Sequence, residues 1–120
     1  MIRYDLYDPD CPCGRALDLI SSKWTSLVVI SLSEGTKRYS ELQRDIPTVS
    51  HKMLTQTLRK LEEKGLIQRV VYAEVPPRVE YTLTKMGQTL VAPIFAVISW
   101  AETYADELSR DDSDEASSTG

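Results

Sequence analysis

Ser40-Glu41-Leu42-Gln43-Arg44-Asp45-Ile46-Pro47-Thr48-Val49-Ser50-His51-Lys52-Met53-Leu54-Thr55-Gln56-Thr57-Leu58-Arg59-Lys60-Leu61-Glu62-Glu63-Lys64-Gly65 is the stretch on which the fold turns. Ser40 can cap a short helix running through Asp45. Pro47 stops that helix, because the residue before a proline is pushed out of the helical region. Pro47-Thr48-Val49 makes a tight turn, Ser50 caps a second helix, and Gly65 closes it after Lys64. Helix, tight turn, helix is the spacing of a helix-turn-helix. Wound at 100° per residue, the second helix places Leu54, Leu58 and Leu61 on one face, and Lys52, Gln56, Arg59, Lys60 and Glu63 on the other. A polar outer face is expected of any surface helix. This one also offers groups suited to nucleic acid. Lys52 can donate to guanine and Gln56 can bond adenine in a bidentate way. Ser50, His51 and Thr55 sit beside them, and Arg59 and Lys60 lie where the helix would leave a groove and meet phosphate.

The neighbouring segments fit the same picture. After Gly65 the period changes. Ile67–Tyr72 and Val79–Leu83 are β-rich and flank Ala73-Glu74-Val75-Pro76-Pro77-Arg78, so a hairpin with a proline-stiffened tip is expected. As a wing, it would carry Arg78 to the backbone or minor groove beside the second helix. The same prolines also suit a turn that merely blocks edge pairing. Upstream, a helix starts at Cys11-Pro12 and breaks at Ser21-Ser22. A second helix, with Trp24, Leu27, Val28, Ile30 and Leu32, runs to about Ser33 and ends at Glu34-Gly35. Thr36–Tyr39 reads as a polar link. Downstream, Thr84 caps a long helix that Pro93 should kink. Its stripe of Leu90, Val91, Ile94, Ile98, Ala101, Ala105 and Leu108 is too long for one small domain to cover. A second copy of the chain is the expected cover, with Cys11 to Ile20 helping. The fold class is therefore α+β, mostly α: a winged helix-turn-helix with a β-hairpin wing and a long C-terminal dimerisation helix. Residues 1–10 form an arm, 11–108 the domain, and 109–120 a disordered acidic tail.

The chain has 120 residues and a net charge of −4, an unpromising total for a nucleic-acid binder. The distribution matters more. From Thr36 to Lys85 there are ten basic and six acidic residues, whereas Asp106 to Gly120 holds six acids and one base. On charge alone, a DNA-binding surface and an ordinary solvated surface remain equally open. No apolar run reaches the ~20 residues of a membrane span and the N-terminus lacks a signal core, so a cytoplasmic location is expected. Two cysteines and one distant histidine are too few for a structural metal site in one chain. His51 has no evident catalytic partner and no phosphate-cradling glycine loop is present, so no enzyme activity and no cofactor are expected.

Several further segments carry a resemblance: Cys11-Pro12, Lys23-Trp24-Thr25, Arg38-Tyr39-Ser40-Glu41-Leu42, Ile46-Pro47, Ser50 to Thr55, Leu58 to Glu62, Gly65-Leu66-Ile67, Val75-Pro76-Pro77-Arg78-Val79-Glu80-Tyr81, and Leu83-Thr84 with Gly87. On these the chain resembles the HxlR-type winged helix-turn-helix regulators, a bacterial and archaeal group akin to the MarR-like proteins. The resemblance spans Cys11 to Trp100. It implies a homodimer built from the first and last helices, with one recognition helix and one wing per subunit. The implied partner is double-stranded DNA, read as a pseudo-palindromic operator, and the implied action is transcription regulation, as a repressor. It also sets Cys11 at the position of the family's N-terminal cysteine, which in some members senses quinones, aldehydes or oxidants. Read from the residues alone, Cys11 is a small side chain at a helix start. Arg15 would favour its reactivity, and Asp8 and Asp10 would oppose it. Cys13 is an extra thiol, a second redox candidate or neutral, and an internal Cys11–Cys13 bridge is not expected at that spacing. Ser21-Ser22 stands where the family usually has Gly-Gly. The alternative function is a winged-helix protein-interaction module without DNA binding.

Overall fold

The computed structural model describes residues 4–109. The elements are α1 (Pro12–Ser21), α2 (Lys23–Ser33), β1 (Lys37–Arg38), α3 (Tyr39–Asp45), α4 (His51–Glu63), β2 (Ile67–Tyr72), β3 (Arg78–Leu83), α5 (Lys85–Thr89) and α6 (Val91–Thr103). A helical turn follows over residues 105–109. The strands form one antiparallel sheet in the order β1-β3-β2. This is the expected winged helix-turn-helix. The acidic tail falls, apart from Ser109, outside the described residues.

Local chemistry explains most boundaries. Pro12 starts α1, where its missing N–H costs nothing. Ser22 ends α1 and caps α2, its side chain accepting from Thr25 N–H. Ser50 caps α4 by accepting from Met53 N–H at 3.0 Å. At the far end of α4, Gly65 has a φ of 77°. Its N–H donates to Glu62 C=O at 3.0 Å, and Leu66 N–H donates to Leu61 C=O at 2.9 Å. These paired bonds satisfy the last carbonyls of the helix. Leu66 C=O then accepts Thr84 N–H at 3.0 Å, so the end of α4, the start of the wing and the cap of α5 meet at one residue. Val28, Val29, Leu42, Leu54, Leu58 and Leu61 form the centre of the core, and Ile67, Leu83 and Ile94 close it from the wing and α6.

Four expectations change. Ser40 is not the cap of α3. Arg38 holds that position, and the Glu41 carboxylate accepts its N–H at 2.9 Å. Lys37–Arg38 is a strand and not a link, pairing with Tyr81 and Glu80. Arg78 opens β3 opposite Tyr72 instead of sitting in the tip. The long C-terminal helix is two helices. Thr84 caps the short α5, its hydroxyl accepting from Gly87 N–H at 3.1 Å, and α6 starts afresh at Val91. Pro93 cannot donate to Thr89 C=O and its ring crowds that carbonyl, so the break falls a turn before the proline instead of as a kink at it.

The apolar stripe also divides. Ile94 is buried, and Leu90, Val91 and Ile98 pack against the core of the same chain. Phe95, Val97, Trp100, Tyr104 and Leu108 remain exposed, as does Leu17 on α1. The described residues have a radius of gyration of 17.1 Å, against about 13 Å for a compact chain of this length.

A polar cluster joins α2, β1 and α3. Ser31 Oγ donates to Asp45 Oδ2 at 2.6 Å. Lys37 Nζ donates to Ser31 Oγ at 3.2 Å, to Glu34 at 2.5 Å and to Asp45. Hydrogen bonds from Lys37 and Ser31 hold the Asp45 carboxyl below the usual carboxylate range. Burial alone would lower the Lys37 ammonium, but its bonds to Asp45 and Glu34 outweigh this and raise it. The Asp45 contribution is thus fully present above its unfolded value of about 4 and is lost as pH falls through the lower folded value. The Lys37 contribution is present below about 10.4 and is lost as pH rises through its raised folded value. Asp45 is partly exposed, so Asp45→Asn should cost only about 1 kcal/mol at pH 7. Urea midpoints for the two proteins should converge in acid. A gap that persists at pH 2 would make the effect one of shape, not charge.

Candidate nucleic-acid interface

The outer face of α4 is built by spacing. Leu54, Thr57, Leu58 and Leu61 are buried, and Thr57 satisfies its hydroxyl on Met53 C=O at 2.7 Å. This anchoring turns Lys52, Gln56, Arg59 and Lys60 to solvent. None of these four side chains has a hydrogen-bond or ion-pair partner among the described residues. All the donors on this face are therefore available.

The other candidates are engaged. Ser50 is exposed, but its hydroxyl is used as the α4 cap. Tyr39, from α3, gathers the start of α4: its OH lies 2.7 Å from His51 Nδ1, 3.1 Å from His51 C=O and 3.4 Å from Thr55 Oγ1. His51 is thereby held through one ring nitrogen, leaving Nε2 available. Thr55 is half-buried in the same group. Arg78 lies folded onto the wing. Its guanidinium stacks 4.2 Å from the Tyr72 ring centroid and pairs with Glu74 at 3.4 Å and Glu80 at 3.7 Å. Its buried Nε has no hydrogen-bond partner.

Between α4 and the sheet runs a cleft of about 540 Å³. His51, Thr55, Arg59 and Glu62 form its α4 wall, and Arg69 and Tyr81 face them from the wing. The sequence reading missed Tyr39, Arg69 and Tyr81. The signal for Arg69 was available, since alternation from the buried Ile67 puts it on the same face of β2. Tyr39 gave no such signal, because its role depends on the turn that brings α3 onto α4.

The thiols lie apart from this surface. Cys11 is the N-cap residue of α1 and 4% exposed. Cys13 is less buried, and both are free thiols. Burial of its surroundings, then a hydrogen bond and charge from Cys11, push the Cys13 thiol up. Among the described residues no group of three His, Cys, Asp or Glu is placed to hold a metal ion, and no helix is long and apolar enough to cross a membrane.

A helix-turn-helix beside a three-stranded sheet is the architecture of helix-turn-helix transcription regulators, and the relatives of this chain are of that type. The chain belongs to the HxlR-like helix-turn-helix family, whose model matches residues 19–109. An uncharacterized HTH-type transcriptional regulator of Methanothermobacter thermautotrophicus is 47% identical over 94 residues, covering 78% of this chain and 72% of that protein. The solved structure of the putative transcriptional regulator ytfH from Salmonella typhimurium matches with a TM-score of 0.79 at 36% identity, covering 91% of this chain and 97% of that one. The redox regulator HypR in its reduced form matches with a TM-score of 0.77 at 38% identity, covering 83% and 99%.

Proposed function

We propose that the protein is a sequence-specific DNA-binding repressor acting as a homodimer, with α4 as the recognition helix. The observation that carries this is the set of unpaired donors on one exposed face of α4: Lys52, Gln56, Arg59 and Lys60. The exposed Leu17 on α1 and the exposed Phe95, Val97, Trp100 and Tyr104 on α6 supply apolar surface for a second subunit. Two recognition helices would then read a pseudo-palindrome with half-sites about 10 base pairs apart, or a multiple of that.

Cys11 is the proposed point of entry for an oxidant or electrophile. Its position at the start of α1 beside Cys13, and the likeness to HypR, described as a redox regulator, support this. Modification there would tilt α1 against its neighbours and favour a dimer that fits DNA poorly. The burial of Cys11 means that a reagent reaches it when the first turn of α1 opens.

An electrophoretic shift assay over a salt series tests the reading, alongside light scattering. Dimers whose DNA affinity falls steeply with salt are expected. Monomers, or binding to protein partners with none to DNA, would sink it. Adding diamide or a quinone should weaken DNA binding by wild type and leave Cys11→Ser unaffected. An equal response of the two proteins would make Cys11 structural.

A further inference from the structure

We propose that His51 reads a base through Nε2 in a sense that pH reverses, accepting a hydrogen bond when neutral and donating one when charged, with Tyr39 as the positioning residue that confines the change to that atom. This rests on the DNA-binding reading above and adds a specificity switch to it.

The assignment follows from counting hydrogens. The Tyr39 hydroxyl has one hydrogen to give. It lies 3.1 Å from the His51 carbonyl oxygen, which can only accept, and 2.7 Å from His51 Nδ1. If the hydroxyl donates to Nδ1, the carbonyl contact is left without a hydrogen. If it donates to the carbonyl, Nδ1–H donates to the hydroxyl oxygen and both contacts are hydrogen bonds. The second arrangement satisfies more groups and is the favoured one. Thr55 Oγ1, 3.4 Å from the hydroxyl, can donate to the same oxygen. A tilted ring contact, with the Tyr39 and His51 centroids 5.2 Å apart, holds the imidazole in place.

With the hydrogen on Nδ1, neutral His51 offers a bare Nε2, an acceptor. Taking up a proton adds a hydrogen at Nε2, which becomes a donor, and leaves both bonds to Tyr39 as they were. DNA bases are sensitive to that difference. In the major groove adenine N6 and cytosine N4 donate, whereas guanine N7 and O6 accept. His51 is exposed and is the first residue of α4, and the N-terminal residues of a recognition helix are those that meet base edges. Tyr39 from α3, Arg59 and Glu62 from α4, and Arg69 and Tyr81 from the sheet share its cleft. Of these residue types only histidine ordinarily changes charge between about pH 5 and 8, and the chain has one histidine.

The test selects bound sequences from a pool of duplexes with a randomised core, at about pH 5.5 and about pH 7.5. In wild type, one position per half-site is expected to favour adenine or cytosine at the higher pH and guanine at the lower, by about threefold to tenfold. His51→Gln, whose amide cannot change charge, should lose the pH dependence at that position. Tyr39→Phe keeps the ring but frees Nδ1, so that both neutral tautomers form. Its preference should blur at the higher pH, while guanine remains favoured at the lower. A wild-type preference that is the same at both pH values overturns the proposal while leaving DNA binding intact. So does a Tyr39→Phe selection that matches wild type at the higher pH. Tighter binding of every sequence at the lower pH, with no base favoured, would make His51 a phosphate contact and also overturn it. Failure of wild type to bind any duplex overturns the DNA-binding reading and this switch with it.

Discussion

Gly87→Ala is expected to lower the melting temperature by more than about 10 °C, a loss of roughly 3 kcal/mol or more. The sign is unusual, because alanine in place of glycine inside a helix normally stabilises by up to about 1 kcal/mol. Gly87 is buried in α5. A Cβ there would overlap the Leu66 carbonyl oxygen, and would stand 3.0 Å from the Leu66 carbonyl carbon and 3.1 Å from Leu83 Cδ2. The carbonyl cannot give way cheaply. It accepts Thr84 N–H at 3.0 Å, and Thr84 in turn donates to Gly65 C=O at 2.6 Å and caps α5. Moving it would disturb the wing and the α5 cap together. Gly14→Ala is the natural comparison, since a Cβ at that position of α1 has nothing within 4 Å and should be neutral or stabilising. Thermal melts of both variants decide the matter. A Gly87→Ala protein as stable as wild type would mean that α5 sits further from Leu66.

Lys52→Ala and Gln56→Ala should each reduce discrimination between the operator and unrelated DNA by roughly 10- to 100-fold, or about 1–3 kcal/mol for a lost base contact. The two should differ in one respect. Lys52→Ala removes a charge and should also flatten the salt slope, whereas Gln56→Ala should leave the slope alone. Both residues are exposed and unpartnered among the described residues, so neither change should alter stability. Competition binding with a selected operator and a scrambled duplex separates the two effects. Unchanged discrimination in both variants would remove α4 from the role of recognition helix.

The helix-turn-helix was legible because its determinants are local. Ser50, Pro47 and Gly65 each act on the backbone within a few residues, and Leu54, Leu58 and Leu61 repeat at helical spacing. The elements that escaped depend on distant partners. A two-residue strand such as Lys37–Arg38 has no period and exists because Tyr81 and Glu80 lie beside it. The α3 cap was misplaced because its acceptor is the Glu41 side chain reaching back to Arg38, with no serine or threonine involved. Arg78 was legible as a wing residue, but not its engagement, since Glu80 and Tyr72 reach it only through strand pairing. The burial of Cys11 was hidden for a like reason: nothing in residues 8–15 announces what packs over the start of α1.

The junction at Leu66 has a mechanical consequence. Gly65 and Leu66 join α4 to the wing with no slack, and Leu66 bonds both Leu61 and Thr84. Helix and wing are therefore welded into one solid unit, the reading head of the proposed regulator. A signal cannot bend the wing away from the helix without breaking that weld. The other joint is the interruption at Leu90, between α5 and α6. In a dimer joined through α6, a signal would leave each reading head unchanged and shift the distance between the two. Along B-form DNA, about 3.4 Å of such shift is one base pair of misregister. Control would then work as a caliper does, by moving rigid jaws apart.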